Sequence, residues 1–288
     1  MVKKRLVVSL LVRDGLIVQS FDFKRYLPIG RPKFPIEHVS RWDVDEIVLL
    51  DMSASRNKSS IDTKLVEMIS KYCYVPLTVG GGIKNIEDAA KLIRAGADKI
   101  SINHMAIKNP SLISELADNF GSQAVIVSID SKKHNQNYRV FSHLDSRKID
   151  ISPKLWAKKC EDLGAGEIFL NSVDRDGSRK GYDLKLIKDI SLNVKIPVIA
   201  CGGVGKFSHF SEGIKNGASA VAAANIFHHT EHSTILAKAS LLRDNVDVRL
   251  DSDATYNFRD FDENGRLLMM NSEQLEKIEF KKNKYRFL

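Results

Sequence analysis

Three cysteines in 288 residues are too few and too widely spaced for a disulfide framework or a metal cage. Cys73, Cys160 and Cys201 each fall in an apolar or helical stretch, where cysteine acts as a small buried hydrophobe. Long apolar runs are missing too: nothing approaches the roughly 20 residues that a membrane-spanning helix requires. The opening MVKKRLVVSLLVRDG has the look of a leader, but Arg13 and Asp14 cut its apolar run short and no small-residue cleavage site follows. A cytoplasmic protein is expected, with no membrane partner. Aromatics make up only 8% of the chain and do not interleave with Arg and Lys, which argues against nucleic acid despite a formal charge of +8. The positive balance points instead to anionic ligands such as phosphates. His228 and His229 have no carboxylate or Cys at ligand spacing and read as surface or capping residues. The run from Asp260 to Gly265 imitates a calcium loop, but Asn271 stands where the bidentate Glu belongs. Neither a metal nor a cofactor is expected.

What the chain has is alternation. Short β-rich runs at residues 5–12, 46–52, 77–80, 99–103, 124–130, 167–172, 198–201 and 220–225 are separated by amphipathic stretches. Runs such as AVIVSID are apolar almost throughout, the mark of strands buried on both faces of a parallel sheet. IEDAAKLIRAGA and PKLWAKKCEDLGAG read as helices closing at a Gly. Eight strand–helix units point to a closed (βα)8 TIM barrel, one domain over residues 1–243. From about Asp244 the pattern breaks, and residues 244–288 read as a C-terminal extension of strands and one short helix.

An internal repeat supports the barrel. VPLTVGGGIKNIEDAAKLIRAGADKISIN, from Val75, aligns with IPVIACGGVGKFSHFSEGIKNGASAVAAAN, from Ile196, at a constant offset of 121 residues. Two similar halves predict approximate two-fold symmetry and two related ligand sites. In a parallel barrel the site lies at the C-terminal strand ends. The candidates there are Leu11, Asp51, Gly81, Gly82, Asn103, Asp130, Ser172, Asp176, Gly177, Gly202, Gly203, Ala224 and Asn225. The two Gly-Gly turns, each between a strand and a helix, present backbone N–H groups to phosphate oxygens. Asp130 suits a general acid or base; Asp51 and Asp176 suit hydroxyl binding or helix capping. At the opposite strand ends, Arg5, Glu46, Lys99 and Glu167 form either an inward ring of ion pairs or ordinary exposed pairs.

Together, VPLTVGGGIKNIEDAAKLIRAGADKISIN, FGSQAVIVSID, GAGEIFLNSVDRDGSRKGYDLKLI, IPVIACGGVGK and AAANIFHH resemble the cyclase subunit of imidazole glycerol phosphate synthase, over roughly residues 2–242. The resemblance implies a barrel that receives ammonia from a glutaminase subunit and reacts it with a bis-phosphorylated ribulosyl intermediate. It implies phosphate binding at Gly82, Asn103, Gly177, Gly203 and Ala224, with Asn225 where a serine is usual. It makes Arg5, Glu46, Lys99 and Glu167 an ammonia gate, and places Asp98 on the glutaminase-facing side. A polar route along the pseudo-symmetry axis is expected to join gate and mouth.

The departures from that pattern carry the functional expectation. Where the family's first strand reads C-L-D-V-K-D-G, this chain reads SLLVRDG, so a catalytic aspartate is replaced by Leu11 while its partner Asp130 is kept. A substrate-holding lysine is replaced by Gln19. The chain thus looks like the divergent paralogues that accompany surface-polysaccharide genes. Their expected role is to pass ammonia from a glutaminase to a separate sugar-modifying amidotransferase, with the extension available to dock that third protein. The alternatives are a working histidine-pathway cyclase, with Asp14, Asp51 or Asp176 replacing the lost group, and a non-catalytic scaffold that activates a glutaminase.

Overall fold

The computed structural model describes residues 3–56, 62–144, 147–229 and 232–251, and, beyond these, positions 262, 266, 268 and 271–276. Its strands are β1 (Arg5–Arg13), β2 (Leu16–Phe21), β3 (Arg25–Gly30), β4 (Glu46–Asp51), β5 (Leu77–Gly80), β6 (Lys99–Ile102), β7 (Val125–His134), β8 (Asn137–Ser142), β9 (Arg147–Ile149), β10 (Glu167–Ser172), β11 (Val198–Cys201) and β12 (Ala220–Ala223). The helices are α1 (Lys33–Arg41), α2 (Met52–Arg56), α3 (Thr63–Ser70), α4 (Ile86–Arg94), α5 (His104–Lys108), α6 (Ser111–Phe120), α7 (Pro153–Asp162), α8 (Leu184–Ser191), α9 (Ser208–Lys215), α10 (Ser233–Arg243) and α11 (Ser272–Glu276). Strands β1, β4, β5, β6, β7, β10, β11 and β12 pair in parallel in that order, and β12 returns to β1, so the barrel closes. All eight expected strands are present. Three match the expected bounds, four differ at one end by one or two residues, as strand boundaries commonly do, and β7 runs four residues further, to His134.

Two excursions were not foreseen. After β1 the chain folds into the antiparallel pair β2 and β3, and after β7 it does the same with β8 and β9. They occupy matching places in the two halves. The QSFDFKRYLPIGRP segment reads as a loop because its apolar residues do not alternate cleanly, and β3 is largely exposed.

The repeat is visible in the hydrogen bonds. Ile47 N–H donates to the Pro76 carbonyl at 3.0 Å, and Ile168 N–H to that of Pro197 at 2.9 Å. Asp98 N–H to Leu77 and Ser219 N–H to Val198 are both 2.9 Å. Each pair is related by the same offset as the sequence repeat.

Local chemistry explains the helices. In α4, the Asn85 side chain accepts from Asp88 N–H, Glu87 and Asp88 lie in the first turn, and Lys91 and Arg94 in the last, so cap and charges both complement the helix dipole. Its buried residues, Ala89 and Leu92, face the barrel. Gly96 follows with φ +106°, where a Cβ would strike the Ser70 side chain. The core has two layers. One lies between sheet and helices; the other, made of Val7, Val48, Ile126, Phe169, Ile199, Ala220 and Ala222, fills the barrel's interior.

Past α10 the chain returns to the N-terminal strand ends. Lys4 N–H donates to the Asp247 carbonyl at 2.9 Å, Lys4 bridges Val248, and Asp251 N–H donates to Asp43 Oδ1. Within residues 244–288 the short helix α11 is described; the calcium-like run lies mostly outside the described residues. Among those residues no helix is long and apolar enough to cross a membrane.

Candidate active site

Side chains alternate inward and outward along each strand, so the barrel's lumen is ordered in tiers. The lowest tier contains Arg5, Glu46, Lys99 and Glu167, and the structure brings all four together. Arg5 reaches Glu46 at 2.7 Å and Glu167 at 2.6 Å; Lys99 reaches Glu167 at 2.8 Å and Glu46 at 3.2 Å. Thr78 donates to Glu46 at 2.7 Å. The side chain of Glu46 is 1% exposed and that of Arg5 28%, so these are not surface pairs. Burial alone would push Glu167 up, but the hydrogen bonds and charges of Arg5 and Lys99 more than offset it and hold the carboxyl below its ordinary range. Asp98 sits at the same end of the barrel, exposed, with its carboxylate accepting from Leu77 N–H at 2.8 Å.

Above the ring the lumen is apolar. Val7, Val48, Ile126, Phe169 and Ile199 are each at most 2% exposed. Apolar side chains therefore pack into the expected polar route at this tier. Hydroxyls stand beside it: Glu46 holds that of Thr78, and Ser9, Ser101 and Ser128, which pair with Val48, Ile126 and Phe169, line the cavity above.

Higher still, the lumen opens into a cavity of about 710 Å³. Asp130 faces it. Asn103 Nδ2 donates to Asp130 Oδ2 at 2.8 Å and Asn171 Nδ2 to Oδ1 at 3.1 Å. Burial pushes the carboxyl up to about 6, the two amides pull it back, and the charge of Asp176 adds to the rise. Such a group titrates near neutrality, where a general acid or base is most effective. Asn171 was missed, and Ser172 was named in its place. Ser172 does not line the cavity, and its buried hydroxyl has no partner among the described residues. Counting inward by twos from Glu167 would have found Asn171.

The pseudo-symmetry makes Leu11 informative. Leu11 pairs with Leu50 across β1 and β4, as Asp130 pairs with Asn171 across β7 and β10. Ala224 is the counterpart of Asn103. Thus the polar trio Asn103, Asp130 and Asn171 faces the apolar trio Ala224, Leu11 and Leu50 across one cavity.

The other candidates have mixed placements. Asp51 accepts from Ser53 and Ala54 N–H and starts α2, the capping reading. Asp176 accepts from Ser20 Oγ at 2.6 Å and Phe23 N–H at 3.0 Å, so it anchors the β2–β3 hairpin and caps no helix. Asp14 lines the cavity at its rim, 3.7 Å from Arg13. Gly81 has φ +115°, and a Cβ there would overlap the Asp51 carbonyl oxygen. Gly82 lines the cavity; Gly177 and Gly203 do not. Gln19 is buried and meets His229, at 3.1 Å between the two Nε2 atoms, and does not reach the cavity. Burial pushes His228 down to about 4. The turn of the hairpin meets that of the second excursion through an edge contact between Phe23 and His143, 5.4 Å between ring centroids, which roofs the cavity.

Fold and site define a class: a (βα)8 barrel of two fused half-barrels, with a charged ring at one end and an acid-bearing cavity at the other. A family profile described as "Histidine biosynthesis protein" matches residues 5–233. The chain is 48% identical over 267 residues to the "Putative imidazole glycerol phosphate synthase subunit hisF2" of Vibrio vulnificus (strain YJ016), covering 92% of this chain and 98% of that protein. It is 43% identical over 254 residues to the imidazole glycerol phosphate synthase subunit HisF of Pyrococcus furiosus, covering 87% of this chain and 100% of the relative. For the HisF subunit of Petrotoga mobilis the identity is 41% over 252 residues. The chain belongs to the histidine biosynthesis protein family, among its HisF-like barrels.

Proposed function

We propose that this barrel is the acceptor half of a glutamine amidotransferase. It takes ammonia from a glutaminase subunit docked at the Arg5, Glu46, Lys99 and Glu167 end, around Asp98. It passes the ammonia to the mouth for use by a separate amidotransferase that modifies a sugar. The observation that carries this reading is the unequal mouth: one complete acid site at Asp130 faces an apolar wall at Leu11. Ring formation in the family's reaction needs an acid/base group on each side of the reacting centre. Leucine exchanges no proton, and losing such a group typically costs on the order of 10²–10⁴ in rate. The sugar acceptor rests on the resemblance to the polysaccharide-associated paralogues, and residues 244–288 are taken as an addition to the barrel proper.

The apolar tier fits transport of neutral ammonia. An ammonium ion would lose its hydration there without a partner, at a cost far above that of NH3. The ring is closed by four ion pairs, so passage requires at least one to open. A second reading, a working cyclase, draws on the names of the relatives and on Asp14 and Asp176, which line the same cavity as Asp130. Expression in a cyclase-deficient histidine auxotroph separates the two. The proposal expects no growth without histidine; rescue would overturn it. In the co-purified glutaminase complex, Glu167→Ala is expected to change the ratio of ammonia delivered at the mouth to glutamate formed, and an unchanged ratio removes the gate.

A further inference from the structure

The polar half of the mouth is rich in acceptors. Asn103 Nδ2 and Asn171 Nδ2 both point at Asp130, so each amide turns its Oδ1 away from the carboxylate. Neither oxygen meets a donor among the described residues, and both asparagines line the cavity. Asp130 keeps lone pairs beyond those that the two amides fill. The negative charge of Asp176 acts on it as well. Two amide oxygens beside a carboxylate suit a ligand that is rich in N–H donors and positively charged.

This wall stands one step above the apolar tier. The inward residues of β7 are Ile126, Ser128 and Asp130, and those of β10 are Glu167, Phe169 and Asn171. Successive inward side chains on one strand are roughly 7 Å apart. Ser128 and Ser101, whose hydroxyls meet at 2.7 Å, lie one step below Asp130 and Asn103. A small molecule leaving the tier therefore meets hydroxyls and then the trio before it reaches the roof of Phe23 and His143.

We propose that Asp130, Asn103 and Asn171 form a seat for ammonium, where ammonia that has crossed the apolar tier is protonated and held. The inference rests on the ammonia-transport reading and deepens it by giving the mouth a trap. The step is one proton transfer: the Asp130 carboxyl and NH3 become the Asp130 carboxylate and NH4+. The carboxylate regains a proton from solvent once the ammonium leaves. Ammonia is more basic than a carboxylate that titrates near 6, so the transfer runs toward the ion. Cys201 pairs with Asn171 and lines the same cavity, but burial pushes its thiol up to about 12 and it keeps its proton. The ion cannot return past Val7, Val48, Ile126, Phe169 and Ile199 without losing its partners and its hydration, so delivery becomes one-way. On the opposite wall Leu11 and Leu50 offer it nothing, which leaves a single seat. Only NH3 is a nucleophile, so the protein that uses the nitrogen must supply a base to take one proton back.

The test uses the full chain with ¹³C-labelled aspartate, the Asp130 carboxyl resonance being assigned by its loss in Asp130→Asn. The chain is titrated at pH 7 with ammonium, potassium or methylammonium chloride at constant ionic strength. The Asp130 resonance is expected to move and saturate with ammonium, at a midpoint at least about tenfold below that of potassium, the factor that one hydrogen bond to a charged group supplies. Asn171→Leu and Asn103→Leu are each expected to erase that preference, with the other aspartate resonances unmoved as the mark of an intact fold. No saturation, or equal midpoints for ammonium and potassium, overturns the inference. Tighter saturation with methylammonium does the same, because it assigns the site to the amino group of a larger ligand. A preference that survives both substitutions overturns the role given to the amides. Each of these results leaves the transport reading standing; that reading falls instead on an unchanged ratio of ammonia to glutamate in Glu167→Ala, which the titration does not touch.

Discussion

Asp130 is held by two amide donors and buried to within 8% of complete exclusion from solvent. Its carboxyl is pushed from 3.8 to about 6, mainly by that burial. An acid whose folded pKa exceeds its unfolded value binds its proton more tightly when folded. Its contribution is therefore fully present below pH 3.8 and is lost as pH rises through about 6. The resulting cost at neutral pH is on the order of 3 kcal/mol. Asp130→Asn is expected to raise the melting temperature at pH 8 and to leave it unchanged or lower at pH 4. Melting curves displaced equally at both pH values would contradict the buried, proton-hungry state. The aspartate itself was legible at the end of AVIVSID. Its environment was not, because Asn103 and Asn171 reach it from neighbouring strands, 27 and 41 residues away in sequence.

Lys238 ties helix α10 to the turn before β4. Lys238 is fully buried, with its ammonium 3.0 Å from Asp43 and 2.8 Å from Asp45. Asp45 also accepts from Leu6 N–H, and Asp43 from Asp251 N–H, so the cluster joins β1, the turn before β4, α10 and the start of the extension. Removing the cation leaves two carboxylates buried near each other. Lys238→Ala is expected to cost about 3–5 kcal/mol, measured by denaturant unfolding. Adding Asp43→Asn and Asp45→Asn should recover most of the loss; no recovery would mean that packing and not charge accounts for it. Neither sequence spacing nor helical pattern points to this cluster. A lysine in STILAKASLLR reads as solvated, and only the return of α10 against the lower strand ends encloses it.

Across the whole molecule, stability follows the closed sheet. The eight parallel strands are covered on both faces, whereas β3 pairs only with β2 and is mostly exposed. Opening of the β2–β3 hairpin should break few buried contacts. Hydrogen exchange is expected to be at least ~100-fold faster in β3 than in β4 or β5, in line with local opening well below the global unfolding energy. Equal protection would make the hairpin part of the barrel's cooperative unit. The chain's order of apolar runs, its repeat at 121 residues and its paired glycines were enough to determine the (βα)8 barrel, the shared strand end of Arg5, Glu46, Lys99 and Glu167, and the two related turns; that the four charges form a ring was left open. Those features depend on strand period and local backbone freedom, which neighbouring residues set. Which amides hold Asp130, and which side chains fill the lumen between ring and mouth, were decided only in three dimensions. Each depends on side chains meeting from strands far apart in sequence.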